Sequence, residues 1–228
     1  MNKKTRDFLI DYLPIILLAP MIVVSGVIAK QAVYKILPAV FSLFIVLLGS
    51  KLYRAAFLLG AANCLLYSVG YFMEGLYGSL VSTLVISAPL QIVSWFMWKR
   101  SAYKQATLFR VLKPRWYPLL ALGIAALWGG MLFFSNRAGN ANDLIVLDSL
   151  LFALGLTISV LSVFACVESC VLNILNCALN CVMWAILTAR NVRGVTYLLI
   201  ALYTVFRTSL ALAACLKMYR EQKKEALP

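Results

Sequence analysis

Eight stretches of this chain are each long and apolar enough to cross a lipid bilayer, and little sequence is left between them for anything else. They fall at residues 12–29, 33–49, 53–73, 78–98, 117–135, 144–165, 169–189 and 194–218, bounded by charges or turn residues. A hydrocarbon core asks for about 20 helical residues per crossing. No water reaches the backbone there, so a spanning segment must hydrogen-bond within itself as a helix or close into a barrel. The runs are long and lack period-two alternation, which selects helices. The expected fold class is an all-α membrane protein with eight transmembrane helices. Of 228 residues, 63% are hydrophobic and 13% charged, against roughly 25% charged in an ordinary soluble domain, which excludes a water-soluble globule. Asp11 interrupts the first run and no small-residue cleavage site stands out, so the amino terminus reads as a retained helix rather than a signal peptide.

The formal net charge is +13, from 21 Lys and Arg against 8 Asp and Glu. Its meaning lies in position. Fifteen basic residues fall in the amino terminus, the second and fourth loops and the tail; Lys30, Lys35, Arg137, Arg190 and Arg193 fall on the other face. The positive-inside rule then places both termini in the cytoplasm. Charges at span ends are rewarded by anionic lipid headgroups, so the lipid bilayer is the expected partner and nucleic acid is not. The chain has no histidine, which removes the commonest metal ligand and general base. Paired carboxylates and a nucleophile with a base are also missing, so neither enzymatic chemistry, nor a metal, nor a cofactor is expected. The six cysteines, Cys64, Cys166, Cys170, Cys177, Cys181 and Cys215, lie in or beside spans and read as small apolar packing.

A repeat divides the chain. Asn63-Cys64-Leu65-Leu66-Tyr67-Ser68-Val69-Gly70-Tyr71 aligns with Asn176-Cys177-Ala178-Leu179-Asn180-Cys181-Val182-Met183-Trp184 at an offset of 113 residues. Carried outward, the offset lays span two on span six and span four on span eight. Span five is left as a linker helix and span one as an extra N-terminal helix. The units are then 1–30 (N-terminal helix), 31–98 (first three-helix repeat), 99–143 (basic loop and linker helix), 144–218 (second repeat) and 219–228 (cytoplasmic tail). An odd linker makes the two repeats parallel, the plan of SWEET-type carriers, in which two bundles rock about a shared midplane cavity.

Polar side chains at bilayer depth are costly and normally face protein or water, so they locate the lining of such a cavity. Asn173, Asn176, Asn180 and Trp184 share one face of span seven, Asn63 and Tyr67 one face of span three. Ser87, Gln91, Ser94 or Trp95, and Trp98 mark span four, and Tyr203 and Arg207 stand one turn apart in span eight. Amides and rings suit a small planar ligand. The plainer reading of the amides is interhelical hydrogen bonding, and Trp98, beside Lys99 and Arg100, reads as an interfacial anchor. Arg207, alone among basic residues deep inside a span, wants an anion: Glu168 at the start of span seven, less readily Asp148, or a substrate phosphate.

The extra helix followed by three, one and three, with Asn63, Gly75-Leu76-Tyr77-Gly78, Pro89-Leu90-Gln91-Ile92 and Trp95-x-x-Trp98, resembles the PnuC vitamin transporters over nearly the whole chain. Glu168, Gly194 and a Tyr203-bearing last helix with a basic tail extend the likeness. The resemblance implies facilitated diffusion of nicotinamide riboside or a relative such as thiamine, riboflavin or a deoxynucleoside, without ion coupling, trapped by a cytoplasmic kinase that need not bind the protein. It implies a pocket at Asn63, Gln91 and Asn176. The chain departs from the family at Cys170 and Asn173, where members often carry tryptophan, at Ser94, where glycine often stands, and at Arg207. A homo-oligomer is compatible with all of this. The alternative is a substrate-binding membrane subunit of an ATP-driven vitamin importer. If the charge count sets the orientation, a fluorescent protein fused to the tail will fluoresce and alkaline phosphatase fused there will be inactive; an active phosphatase fusion would reverse it.

Overall fold

Each apolar run is a helix in the computed structural model, which describes residues 3–28, 30–73, 82–103, 106–137, 144–190 and 195–225. Among these are eight α-helices: α1 Lys3–Ile28, α2 Val33–Ser50, α3 Ala55–Met73, α4 Ala88–Arg100, α5 Tyr117–Arg137, α6 Ile145–Val163, α7 Val167–Arg190 and α8 Val195–Glu225. The Gly75 to Gly78 motif, the start of the fourth run and Gly194 lie outside the described residues. Five helices, α1 and α5 to α8, are long and apolar enough to cross a membrane, and α2 and α3 carry the shorter apolar stretches Ile36–Ser50 and Ala55–Gly70. α1 begins at Lys3 and α8 runs on to Glu225, beyond the expected 12 and 218. Hydropathy marks the depth of the bilayer, whereas the hydrogen-bond ladder continues past it into polar sequence.

α4 is entered through a π-helical turn, Ser82–Ser87. Pro89, within the first turn of α4, has no N–H to give to the preceding turn, and the register changes there. The basic stretch after α4 is more than a loop. It forms a hairpin of β1 (Ala102–Tyr103) and β2 (Ala106–Thr107), then a 3-10 turn at Pro114–Trp116.

The 113-residue offset recurs in the backbone. α2 ends with Leu52 at φ 58° and α6 with Ala165 at φ 54°. Leu52 N–H donates to Gly49 O and Tyr53 N–H to Leu48 O; Ala165 N–H donates to Ser162 O and Cys166 N–H to Leu161 O. These are two copies of one Schellman cap, with leucine and alanine in the left-handed position usually given to glycine. Leu52 and Ala165 pack in one buried cluster with Trp98, Ala106, Phe109, Val167 and Cys215, so α2 and α6 run toward the same end of the molecule. The helix packing follows suit: α2 lies against α8 and α4 against α6, contacts that exchange under the offset. α1 packs on α2 and α8, while α5 packs on α6 and contributes no buried residue.

The segment after α4 is strapped across that shared end. Arg110 N–H donates to Ala165 O, and Val167 N–H donates to Arg110 O. Gln222 accepts from Phe109 N–H and donates to Thr107 O, both at 2.9 Å. Glu168 Oε1 accepts from Leu112 N–H at 3.0 Å and from the Tyr117 hydroxyl at 2.9 Å. Glu168 therefore holds the strap rather than Arg207. Trp98 lies at the centre, 6% exposed, edge-on to Phe57 and Phe109, with Nε1–H donating to Ser162 O at 2.8 Å. It is a core residue joining α4 to α6 and not an interfacial anchor, because its ring faces inward while Lys99 and Arg100 face out. Trp98→Ala should lower stability by about 3–5 kcal/mol through the void it leaves, and Trp98→Phe by about 1 kcal/mol for the lost hydrogen bond. Detergent melting curves check the order; equal small losses would show that the cluster does not hold this end together.

Candidate functional site

Between the two helix sets lies a cavity of about 330 Å³, walled by α2, α3, α4, α6, α7 and α8, a size typical of small-molecule sites. Its lining repeats the sequence offset. Ile45 and Ile158, Val46 and Ser159, Gly49 and Ser162, Ala56 and Ser169, Phe57 and Cys170, Gln91 and Thr204, Ser94 and Arg207, and Trp98 and Ala211 are pairs separated by 113 residues, and all line it. The cavity thus sits where the two halves meet. It draws on the last turns of α2 and α6 and the first turns of α3 and α7, so it lies toward the strapped end. Leu52 and Trp98 belong both to its wall and to the buried cluster beneath.

Paired positions carry different chemistry. Where the first half offers Val46, Gly49, Ala56 and Phe57, the second offers Ser159, Ser162, Ser169 and Cys170. The first half brings the rings of Tyr53, Phe57 and Trp98 together with Ser50, Gln91 and Ser94, while the second adds Asn173, Thr204, Arg207 and Thr208 to its serines. Ser94, Ser159, Ser169 and Thr204 each donate their hydroxyl hydrogen to a carbonyl of the preceding turn at 2.7–2.8 Å. That leaves their lone pairs as acceptors. The cavity suits an amphipathic ligand with a flat apolar part and a hydroxyl-bearing part.

Gln91 is fitted closely into this wall. Its Nε2 donates to Cys64 Sγ at 3.4 Å, and a Cβ on Gly60 would stand 1.7 Å from its Oε1. Gly60 leaves room for the amide to lie directly against the α3 backbone, and any larger residue there would displace the Gln91 side chain. Asn173 reaches the cavity from α7 and accepts a weak bond from Cys177 Sγ at 3.6 Å.

Arg207 is 1% exposed and forms part of the wall. Its partner is Asp11 of α1, with Nη1 3.1 Å from Oδ1, and neither Glu168 nor Asp148. Lys51 Nζ holds the other Asp11 oxygen at 2.7 Å. Nη2 donates to Ser50 Oγ, whose own hydrogen goes to Leu47 O at 2.7 Å. In the sequence Asp11 is only an interruption of span one; its pairing with Arg207 needs α1 packed against α8.

Of the ten expected site residues, Gln91, Asn173 and Arg207 line the cavity. Asn63 is buried and donates to Ser42 Oγ at 2.9 Å, and Tyr67 shares that hydroxyl at 3.4 Å. Asn63 Oδ1 and its repeat mate Asn176 Oδ1 are buried without a partner among the described residues. Trp184 stacks on Tyr197 with centroids 4.4 Å apart, and Asn180 is half-buried. Tyr203 is a core residue donating to Leu43 O. Trp95 packs on Phe96 with Lys99 over its ring, while its neighbour Ser94 faces the cavity. A helical stripe from Asn173 to Trp184 is about 16 Å long at 1.5 Å per residue, so only its end meets a cavity placed at one end of the helix. Phe57, Ser162 and Ser169 also line the cavity without standing on any of the expected stripes; their mates at the 113-residue offset, Cys170, Gly49 and Ala56, are apolar or small and gave no signal in the sequence.

A family model described as nicotinamide mononucleotide transporter matches residues 32–217. The crystal structure of the vitamin B3 transporter PnuC has a TM-score of 0.71 to this chain, covering 91% of it and 90% of that protein at 18% identity, a likeness of fold. A search of curated proteins finds no match. The geometry of the wall is open to a direct check: with Cys170 as the single cysteine the protein should react with a small polar methanethiosulfonate, and with Cys215, which is fully buried, it should not. Equal labelling would contradict the cavity described.

Proposed function

The chain belongs to the nicotinamide mononucleotide transporter family, whose members are membrane transporters and not enzymes, and from that premise we propose that it carries a vitamin of the nicotinamide riboside type through the cavity between its halves. Thiamine, riboflavin and deoxynucleosides share the same outline, a flat ring joined to a polar part, and define the substrate class. The observation that carries this reading is the lining by residues paired at 113-residue spacing. A site on the seam of two like-facing units can be exposed to either side by rocking one unit against the other, without dismantling its walls.

In this reading residues 31–98 and 144–218 are the two three-helix repeats, residues 1–30 an added helix, 99–143 the strap and linker helix, and 219–228 a cytoplasmic tail. The two Schellman caps meeting in one cluster, and the exchange-related packing of α2 on α8 and α4 on α6, support parallel repeats. The aromatic wall at Phe57 and Trp98 takes the ring, and the serine and asparagine wall takes hydroxyls. Asn63 and Asn176, whose amide oxygens are buried without partners, serve substrate as it moves beyond the cavity seen here. Tyr67, Asn180 and Trp184 continue that path along α3 and α7. Transport is downhill into the cytoplasm of a bacterial cell, and phosphorylation there keeps the gradient.

Proteoliposomes containing the purified chain should equilibrate labelled nicotinamide riboside, or another of the class, without ATP. Gln91→Leu should raise KM about three- to tenfold, the worth of one neutral hydrogen bond, with the protein still inserted and folded. Flux no greater than in empty vesicles for every compound overturns the reading. Binding without flux until an ATP-driven partner is added would assign the chain to an importer as its substrate-binding subunit.

A further inference from the structure

The family match begins at residue 32, so α1 lies outside it, yet α1 supplies the carboxylate beside the charged side chain of the cavity wall. The Arg207 guanidinium has five N–H donors. Four are taken by acceptors within the protein: Nη1 by Asp11 Oδ1 at 3.1 Å and Ile10 O at 3.4 Å, Nη2 by Ser50 Oγ and by Leu47 O at 3.5 Å. The fifth, on Nε, is buried and has no partner among the described residues. A donor without a partner in a 1% exposed side chain is costly and calls for an acceptor. Arg207 lines the cavity, and the cavity is where that acceptor can come from.

We propose that Asp11 is a positioning residue for substrate: with Ser50 it clamps both Nη groups of Arg207 so that Nε–H is left to bind one neutral oxygen acceptor of the cargo, a carbonyl or hydroxyl oxygen. This rests on the cavity being the transport site. The clamp explains why an arginine stands here. A lysine could neutralise Asp11, but its three donors share one nitrogen and cannot hold Asp11 and Ser50 while a separate N–H is presented elsewhere. It also gives α1 a role beyond anchoring, because withdrawing α1 would release the guanidinium to turn. Lys51, on the second Asp11 oxygen and partly exposed, keeps the carboxylate in place from the turn after α2. A doubly charged phosphate would need the Nη groups that the clamp already occupies, so the single Nε–H selects a neutral acceptor at this position.

The test compares Asp11→Asn, Asp11→Glu, Arg207→Lys and the Asp11→Asn/Arg207→Lys double variant in proteoliposomes, with labelled nicotinamide riboside as probe and detergent melting temperature as the fold control. Thermal shifts with nicotinamide riboside, thiamine, riboflavin and deoxyadenosine give a binding readout independent of flux. Asp11→Asn and Arg207→Lys should each raise KM roughly tenfold, as expected for a charge-assisted bond lost or misaligned, with maximal rate changed less than twofold. Asp11→Glu should recover most of the loss. The double variant should be no worse than Arg207→Lys, because Asp11 acts through Arg207. Unchanged KM in both single variants, or a lower melting temperature and maximal rate at constant KM, overturns the inference and leaves the proposed function standing. If the wild-type chain neither binds nor carries any of the four compounds, the proposed function and this inference fall together.

Discussion

A polar group at bilayer depth must find a partner inside the protein, and that constraint orders this structure from backbone to site. It turns the apolar runs into helices, since only the intrahelical ladder satisfies every amide without water. It draws Asp11, Lys51 and Arg207 together from three elements distant in sequence. It also explains why most hydroxyls along the cavity wall point their hydrogens back to their own helix. What the constraint leaves unsatisfied is informative for the same reason. Among the described residues, the buried atoms left without a partner include Arg207 Nε and the Asn63 and Asn176 amide oxygens, each of which calls for a donor or acceptor.

Duplication gives the protein its seam, and divergence gives the seam its chemistry. The two halves retain the same helix-ending turn even though neither has glycine in the left-handed position, at a backbone cost of about 1–2 kcal/mol per residue. Both residues are buried in the cluster that closes the strapped end, and their packing offsets that cost. Around the cavity four paired positions have diverged, with Val46, Gly49, Ala56 and Phe57 in the first half paired with Ser159, Ser162, Ser169 and Cys170 in the second. The cavity is therefore not a symmetric cage, although it is built at paired positions.

The strap and the tail of α8 complete the closed end. Gln222 and Glu168 each join the segment after α4 to the second half through backbone hydrogen bonds, and Trp98 and Phe109 fill the space beneath. Opening the cavity toward that side would require these contacts to part. The hydrophobic core on the other flank, between α1, α2 and α8, is made by Ile15, Ile22, Leu43 and Tyr203. It holds α1 beside the Arg207 clamp.

Hydropathy alone determined the eight helices, and the Asn-Cys pair determined the 113-residue offset, because both are properties of the local chain that no neighbour can alter. Amphipathic faces mark polar stripes but not their depth. A stripe states which side of a helix is polar and not where along it the helices diverge to leave space, which is why Gln91 and Asn173 reach the cavity while Asn180 and Trp184 do not. The partner of Arg207 was likewise beyond sequence: Glu168 and Asp11 are both carboxylates near the basic end of a span, and only the folding of α1 against α8 brings one of them to 3.1 Å. Composition and periodicity settle what must be buried and in which secondary structure. Which buried groups meet is decided by helix packing, since pairing energies depend on distances of a few ångströms between residues nearly two hundred positions apart.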